Sequence, residues 1–336
     1  MSASPLRAGY WHMRETGRAC LQRVSAAVKP WRYRSRLRGT DGWLAVRIDA
    51  RIGFFAQMNW ALMILAHCDE HELQPYIELT GPFYADRPGE NWFGHFFELT
   101  GYDEGRARVA RGELPLCSIT ELSQLGLSPC YERDMTLERA NALWGRYTRI
   151  ESGIASHVES FAAQHFAGRE VLGVHYRGTD KSSEAPRLGW DICVHAVKQQ
   201  MAAQPDLNTV FVASDEAAFV DYIGRAFADT NVVSHDDRTR STDGSAVHVQ
   251  PTEGGNRLKG QEALVNALLL ARCATLIRSA SFLSGWASVF NPALPVALLN
   301  RPYESTLWFP DREVIKRGAV ERANAFVHGM SPERPA

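Results

Sequence analysis

The segment His175-Tyr-Arg-Gly-Thr-Asp-Lys181 places two cations, a hydroxyl and a glycine in one short stretch. That combination suits a diphosphate. A guanidinium grips phosphate oxygens in pairs, an ammonium adds a compact charge, and glycine lets the backbone come close to the ligand. A salt-bridged turn is the plain alternative, yet a buried apolar run leads directly into these charges, which a solvated turn would not require. A second candidate anion site is Arg278-Ser-Ala-Ser-Phe-Leu-Ser284, where Ser279, Ser281 and Ser284 open a helix. Hydroxyls and backbone N–H groups at a helix N-terminus hold anions, although a simple serine cap accounts for the same residues. In Val212-Ala-Ser-Asp-Glu216, Ser214 or Asp215 could cap the next helix. Asp215 or Glu216 could equally hold a sugar hydroxyl or a base edge, and both readings stand.

These groups need elements to position them. Apolar runs predict strands at Val171–Tyr176, Thr209–Ala213, Asn231–Ser234, Thr275–Ile277 and Val296–Leu299. Helical spacing fills the intervals at Trp190–Gln204, Glu216–Phe227, Leu258–Cys273 and Phe282–Phe290. Such alternation implies right-handed crossovers and a parallel, doubly wound sheet. The candidate ligand groups then leave the carboxyl ends of its strands, where open α/β sheets bind ligands. The polar stretch Asp236–Arg257 reads as a lid or an unstructured loop.

Earlier, Trp43–Ile48 and Tyr76–Leu79 read as strands around a helix, Phe54–Leu73, closed by Pro75. Asn91-Trp-Phe-Gly-His-Phe-Phe97 reads as a short helix that docks on this first lobe. Residues 101–135 give no clear pattern, and Leu137–Phe166 is helical in composition, with breaks at Gly153 and Gly168. The expected fold is α/β, with two Rossmann-like lobes and a cleft between them. The boundaries fall at 1–40 for a basic segment, 41–160 for the first lobe, 161–310 for the second and 311–336 for a tail.

With 336 residues the chain is long for one core and comfortable for two. A net charge of −1 gives no global attraction to nucleic acid, so an anionic ligand must be met locally. Residues 1–40 are the exception, with nine Arg or Lys against Glu15 alone. That segment could rest on an anionic membrane surface, collect an acidic acceptor, serve as a transit peptide, or form a solvated helix. Cys20, Cys68, Cys117, Cys130, Cys193 and Cys273 show no paired spacing, which favours a reduced, cytoplasmic setting with possible contact at the inner membrane face. No apolar run approaches the ~18 residues of a membrane span.

The second-half pattern resembles the fucosyltransferase superfamily that includes α-1,6-fucosyltransferases, nodulation fucosyltransferases and protein O-fucosyltransferases. The resemblance rests mainly on His175–Lys181, similar to that family's His-x-Arg-x-Thr-Asp-Lys block. Val210–Asp215, the Lys259-Gly260 helix running into Ser279–Ser284, and Arg51-Ile-Gly-Phe-Phe-Ala-Gln57 support it. These stretches span much of residues 45–300. The resemblance implies a bacterial-type GT-B glycosyltransferase that transfers fucose from GDP-fucose to a glycan or glycoconjugate, inverting the anomeric carbon without a metal or other cofactor. It implies that Arg177 binds the donor's β-phosphate and that Asp215, Ser279 and Ser281 line the nucleotide pocket. Gly53 would face the donor in a glycine loop, with His175, Lys181 and Ser284 completing the candidate contacts. Three departures stand out. Gly178 replaces a second Arg of the α-1,6 type, Asn266 replaces a frequent Asp, and Glu184 lies one residue from the family's glutamate.

Departure of a nucleoside diphosphate puts charge on its β-phosphate, which Arg177, Lys181 and the Ser281 helix end would stabilise. A carboxylate must take the acceptor's proton; Glu184 is the first candidate and Asp180 the second. Other readings compete. His67-Cys-Asp-Glu-His71 matches the H-x-x-E-H zinc motif, though at the polar end of a helix. A non-catalytic nucleotide-sugar binder, or a transferase for another nucleotide sugar, would share the phosphate contacts. His175 reads better as a hydrogen-bonded core histidine than as a base, and Trp92–Phe97 better as lobe core than as a sugar platform.

Overall fold

The computed structural model describes residues 41–118, 135–179, 181–242, 244–250, 252 and 254–327. The basic segment 1–40, Cys20, Cys130 and Asp180 therefore lie outside the described residues, as does the side chain of Lys181.

The first apolar run, Trp43–Ile48, forms β1 and pairs in parallel with β2 (Gln74–Leu79). Between them, α1 (Phe54–Glu70) is apolar nearly all round, with Phe54, Phe55, Met58, Leu62 and Leu65 buried. A helix of that composition must be covered on both sides, and here its own sheet and the second lobe cover it. The aromatic stretch forms a short 3-10 helix, Phe93–His95, followed by β3 (Phe97–Leu99), which the sequence did not indicate. Trp92, Phe93, Phe96 and Phe97 are all buried, and Phe54 meets Phe96 edge-on at 5.0 Å. They are lobe core, as their composition predicts.

The unassigned region contains α2 (Tyr102–Ala110) and β4 (Leu116–Ser118), which completes a three-stranded sheet of order β2-β1-β4. The expected helical stretch after it is divided into α3 (Leu137–Tyr147), β5 (Thr148–Ile150) and α4 (Ser152–His165). Pairing of β5 with β3 takes three residues out of the helix. The Glu151 carboxylate then restarts it by accepting from the N–H groups of Gly153 (2.9 Å) and Ile154 (3.0 Å).

In the second half, strands and helices follow the apolar runs closely. They are β6 (Glu170–Tyr176), α5 (Trp190–Ala203), β7 (Leu207–Ser214), α6 (Ala217–Ala226) and β8 (Asn231–Val233). Then come α7 (Asn256–Leu270), β9 (Thr275–Arg278), α8 (Phe282–Phe290) and β10 (Val296–Leu298). All strands are parallel, in the order β10-β9-β6-β7-β8. The chain winds outward from β6 to β8, then returns to β9 on the other side. That reversal opens a crevice at the carboxyl ends of β6 and β9. After β10, α9 (Asp311–Lys316) packs against α8, α10 (Ala319–Val327) packs back on β10 and α5, and buried Arg278 pairs with Asp311 at 2.5 Å.

A single apolar cluster runs from the first sheet through α1 and α8 into the second. At its centre, buried Asn59 donates to the Phe309 carbonyl (2.5 Å) and accepts from Trp286 Nε1 (2.7 Å). Trp144 packs edge-on against Trp286 at 4.8 Å. Gly260 sits where a Cβ would come within 2.6 Å of the Phe96 ring, so glycine allows α7 to approach the first lobe. Among the described residues Cys68, Cys117, Cys193 and Cys273 are buried free thiols, and no helix is long and apolar enough to cross a membrane.

Asn59→Ala strips partners from two buried groups, each worth ~1–3 kcal/mol when left unsatisfied. Denaturant unfolding should show a loss of roughly 3 kcal/mol, because the lobes share one core. A loss below about 0.5 kcal/mol, typical of a surface position, would contradict the junction described here.

Candidate functional site

At the crevice, β6 ends in Tyr176, whose side chain is buried, and the chain turns out through Arg177, Gly178 and Thr179. This turn is tied down by its neighbours. The Arg177 N–H donates to Ser279 Oγ, 2.8 Å away beyond the end of β9. Asp215, just past β7, accepts from Thr179 Oγ1 (2.6 Å) and from the Gly178 N–H (3.4 Å). Its carboxylate also stands 3.7 Å from Arg177 Nε. Asp215 thus shapes the loop and does not cap α6; Ser214 Oγ instead accepts from the Glu216 N–H at 3.1 Å. A Cβ on Gly178 would lie 2.4 Å from Glu216 Oε1 and 2.6 Å from the Tyr176 ring. The loop has no space for a second arginine at that position.

Two pockets meet at Arg177. One, of ≈ 620 Å³, lies between the strand ends and α7, and its lining combines apolar surface with the polar side chains of His175, Asp215, Asp237, Arg240, Glu262 and Asn266. The other, of ≈ 860 Å³, lies between the lobes, with Arg51, Gly53, Glu184, Ser281 and Trp308 on its walls. Arg177, Tyr84, His248, Ala263 and Leu283 border both. A ligand with a flat polar end, a charged middle and a third group beyond would span them in that order.

The stretch that reads as a lid or an unstructured loop is, over its described residues, a built wall of the first pocket. Glu262 accepts from the N–H groups of Arg238 (2.8 Å) and Thr239 (3.1 Å). Asp237 accepts from Asn266 Nδ2 at 2.9 Å and from Arg240 at 3.2 Å. Lys259 donates to the carbonyls of Gln250 (2.9 Å) and His248 (3.3 Å), and burial pulls its ammonium below the usual lysine range, against the pull of Asp86. Across the lobes, Asp86 accepts from the Asn256 N–H at 2.6 Å at the start of α7. These contacts went unread in the sequence, although a signal was present. Lys259, Glu262 and Asn266 recur at spacings of three and four on a helix whose second half is otherwise apolar.

The candidate residues are distributed unevenly. Arg177, Asp215 and buried His175 line the first pocket, while Gly53, Ser281 and Glu184 line the second together with Arg177. Ser279 is buried and spends its hydroxyl on the Arg177 backbone. Ser284 is fully buried inside α8 and borders neither pocket. A serine one turn into a short helix turns toward the core, which the spacing did not reveal. Gly53 precedes α1 with open space around the position of a Cβ, so the fold does not itself demand glycine there.

For the zinc motif, the His67 and His71 rings do lie together, tilted to one another with centroids 4.3 Å apart. Burial, followed by the charge of His71, pulls His67 down to about 4, and Glu70 pairs with Arg139. Among the described residues no group of three or more His, Cys, Asp or Glu is placed to hold a metal.

Burial, then the charge of Asp215, raises the Glu216 carboxyl above its usual value, against hydrogen bonding from Trp190 and the charge of Arg187. A raised folded value means that the ionised form opposes folding. The penalty is full above that value and vanishes below the ordinary carboxylate range. Glu216→Gln, which can still accept from Trp190 Nε1, should therefore melt higher than wild type at neutral pH, with the two curves converging below about pH 4. Equal melting at neutral pH would refute this. Gly178→Ala should displace Glu216 and the loop, weakening ligand binding at Arg177 by at least about tenfold while the rest of the fold stands. Calorimetry and far-UV spectra read the two effects separately.

No protein-family model matches the chain, and no curated protein matches its sequence. Solved structures do match. The NodZ α-1,6-fucosyltransferase co-crystallised with GDP aligns with a TM-score of 0.53 and 21% identity, covering 76% of this chain and 93% of that one. The fucosyltransferase NodZ from Bradyrhizobium aligns with a TM-score of 0.51 and 21% identity, over 72% and 91% of the two chains. With its parallel second sheet, its smaller first sheet and the crevice at Arg177, the chain has the GT-B fold of these fucosyltransferases.

Proposed function

We propose that this chain is an inverting, metal-independent glycosyltransferase that moves fucose from GDP-fucose to a hydroxyl of a glycan or glycoconjugate. The observation that carries the reading is the meeting of two pockets at Arg177, with Glu184 in the wider one. The nucleoside would occupy the polar pocket beneath α7, the diphosphate would cross Arg177, and the sugar would sit between the lobes. Fold likeness to a fucosyltransferase crystallised with GDP supports this choice of donor. Residues 161–310 would form the donor lobe and 41–160 the acceptor side. The setting would be cytoplasmic, with residues 1–40 suited by charge to an anionic membrane face.

In the reaction the C1–O bond of the donor breaks, and its electron pair passes to the β-phosphate oxygen. The Arg177 guanidinium faces that charge, with Lys181 of the same loop as a second cation. The start of α8 at Ser281 adds backbone N–H groups whose dipoles favour an anion. Glu184 takes the acceptor proton as the hydroxyl attacks C1 from the opposite face, which inverts the centre; Asp180 is the alternative base. Asp215 keeps the loop in register, and His175 and Ser279 support it from below. Closing the cleft around the sugar excludes water and so suppresses hydrolysis of the donor.

The first test is a thermal-shift and calorimetric comparison of GDP, UDP, CMP and ADP on wild type and Arg177→Ala. GDP should bind selectively, and the variant should lose that binding. Preference for another nucleotide would keep the transferase and discard fucose, whereas no nucleotide binding would refute the reading. With GDP-fucose and a responsive glycan, Arg177→Ala should lower kcat by roughly 10²–10³. Glu184→Gln should lower kcat while leaving GDP affinity intact, and full turnover by that variant would move the base elsewhere. Binding of GDP without release of GDP from GDP-fucose, over a broad glycan panel, would mark a non-catalytic binder.

A further inference from the structure

We propose that His248 is a second diphosphate-binding residue, facing Arg177, and that its imidazole takes up a proton when a nucleoside diphosphate binds. The inference rests on the donor site proposed above and adds a group that neither the motif nor its spacing contains.

His248 lies on a 3-10 turn, Val247–Val249, at the neck where the two pockets join. Its position is built. Lys259 holds the turn through the carbonyls of His248 and Gln250, and the ring meets Phe83 edge-on at 5.5 Å. His248 Nδ1 is 3.4 Å from Arg177 Nη2. A guanidinium can only donate, so the nitrogen that faces it must accept, and the ring is neutral with its proton on Nε2. The other cations of the polar pocket are committed to its wall: Lys259 to the turn, Arg240 to Asp237 and the His235 carbonyl. Gly178 has no room for a side chain. His248 is thus the group placed to meet Arg177 from the opposite side of the neck.

The charges around the ring set the sign. Arg177, at 3.4 Å, Lys259, Arg240 and Arg51 disfavour an imidazolium, while Asp215, Asp237, Glu262 and Glu184 on the same pocket walls favour it. A diphosphate placed at Arg177 brings more negative charge to the neck than any of these and draws the guanidinium N–H groups to itself. Nδ1 then faces an anion rather than a donor, and protonation converts a neutral contact into a charge-assisted hydrogen bond. Binding and protonation are therefore linked. The same imidazolium would face the charge that grows on the β-phosphate as the sugar leaves.

Calorimetry of GDP binding at about pH 8, well above the usual histidine value, in Tris and in HEPES, measures the proton exchanged. Wild type should take up close to one proton per GDP, and less with GMP, which lacks the β-phosphate. His248→Asn should abolish the uptake and weaken GDP by about tenfold, the scale of one hydrogen bond to a charged group. His248→Lys carries a permanent charge, so it should retain GDP affinity without taking up a proton, an outcome that a merely structural role for the ring would not produce. Unchanged affinity and uptake in His248→Asn would overturn the proposal while leaving the donor site standing. Failure of wild type to bind any nucleoside diphosphate would remove both.

Discussion

The Asp215 carboxylate holds the turn on which the crevice depends. One oxygen takes the Thr179 hydroxyl, the other takes the Gly178 N–H, and both lie in the field of Arg177. Ser279 holds the same turn from β9 through the Arg177 N–H. Three strand ends, β6, β7 and β9, thus converge on one short loop, and the guanidinium leaves it in a fixed direction. Charge placed this way needs little reorganisation when an anion arrives, which is what makes preorganised groups effective against charge that develops during reaction. Glu216 bears the cost of the arrangement, since burial and its acidic neighbour push its carboxyl up. Gly178 is the steric counterpart, because any side chain there would collide with Glu216 and Tyr176.

The second constraint is the common core of the two lobes. At its base the cleft does not separate independent bodies, because α1 and α8 are packed there through Phe55 and Trp286 and bridged by Asn59. Nearer the pockets the lobes also meet through polar contacts: the Asp86 carboxylate of the first lobe accepts from the Asn256 N–H at the start of α7, and Asn256 Nδ2 donates to the Ala85 carbonyl at 2.8 Å. Hydrogen bonds of this kind exchange partners more readily than interlocked side chains repack.

The second lobe was legible because each of its strands is a short apolar run bounded by polar turns, and each helix repeats its buried face at regular intervals. The Arg177 turn was legible for a related reason: charged residues directly after a buried run must emerge at a strand end. Legibility failed where tertiary pairing decided the outcome. Thr148–Ile150 has helical neighbours on both sides and becomes a strand because Phe97–Leu99 lies beside it. β4 is three residues long, and only its place next to β1 makes it a strand. Ser284 resembled a ligand group by spacing, but the packing of α8 turns it inward. His248 carried no local signal, since its place where the two pockets join depends on Lys259 pinning a turn to a helix that begins several residues later.

Helix α7 gives that long-range placement a physical basis. A helix packed between β7 and the first-lobe aromatics should bury apolar residues, yet it buries Lys259, Glu262 and Asn266 on one face. Buried polar groups are costly unless partnered, and most of their hydrogen-bonding capacity goes to the 235–250 wall. Both Asn266 Nδ2 protons are used, one on Asp237 and one on the Glu262 carbonyl. These are acceptors, so the orientation of the amide is fixed. Its Oδ1 is then turned away from them as a buried acceptor without a protein partner, and the buried Nε of Arg240, another residue lining the first pocket, likewise lacks one. Each is held at a cost to folding. The wall of the first pocket is in this way set by the packing of α7, while the turn at Arg177 is set by Asp215.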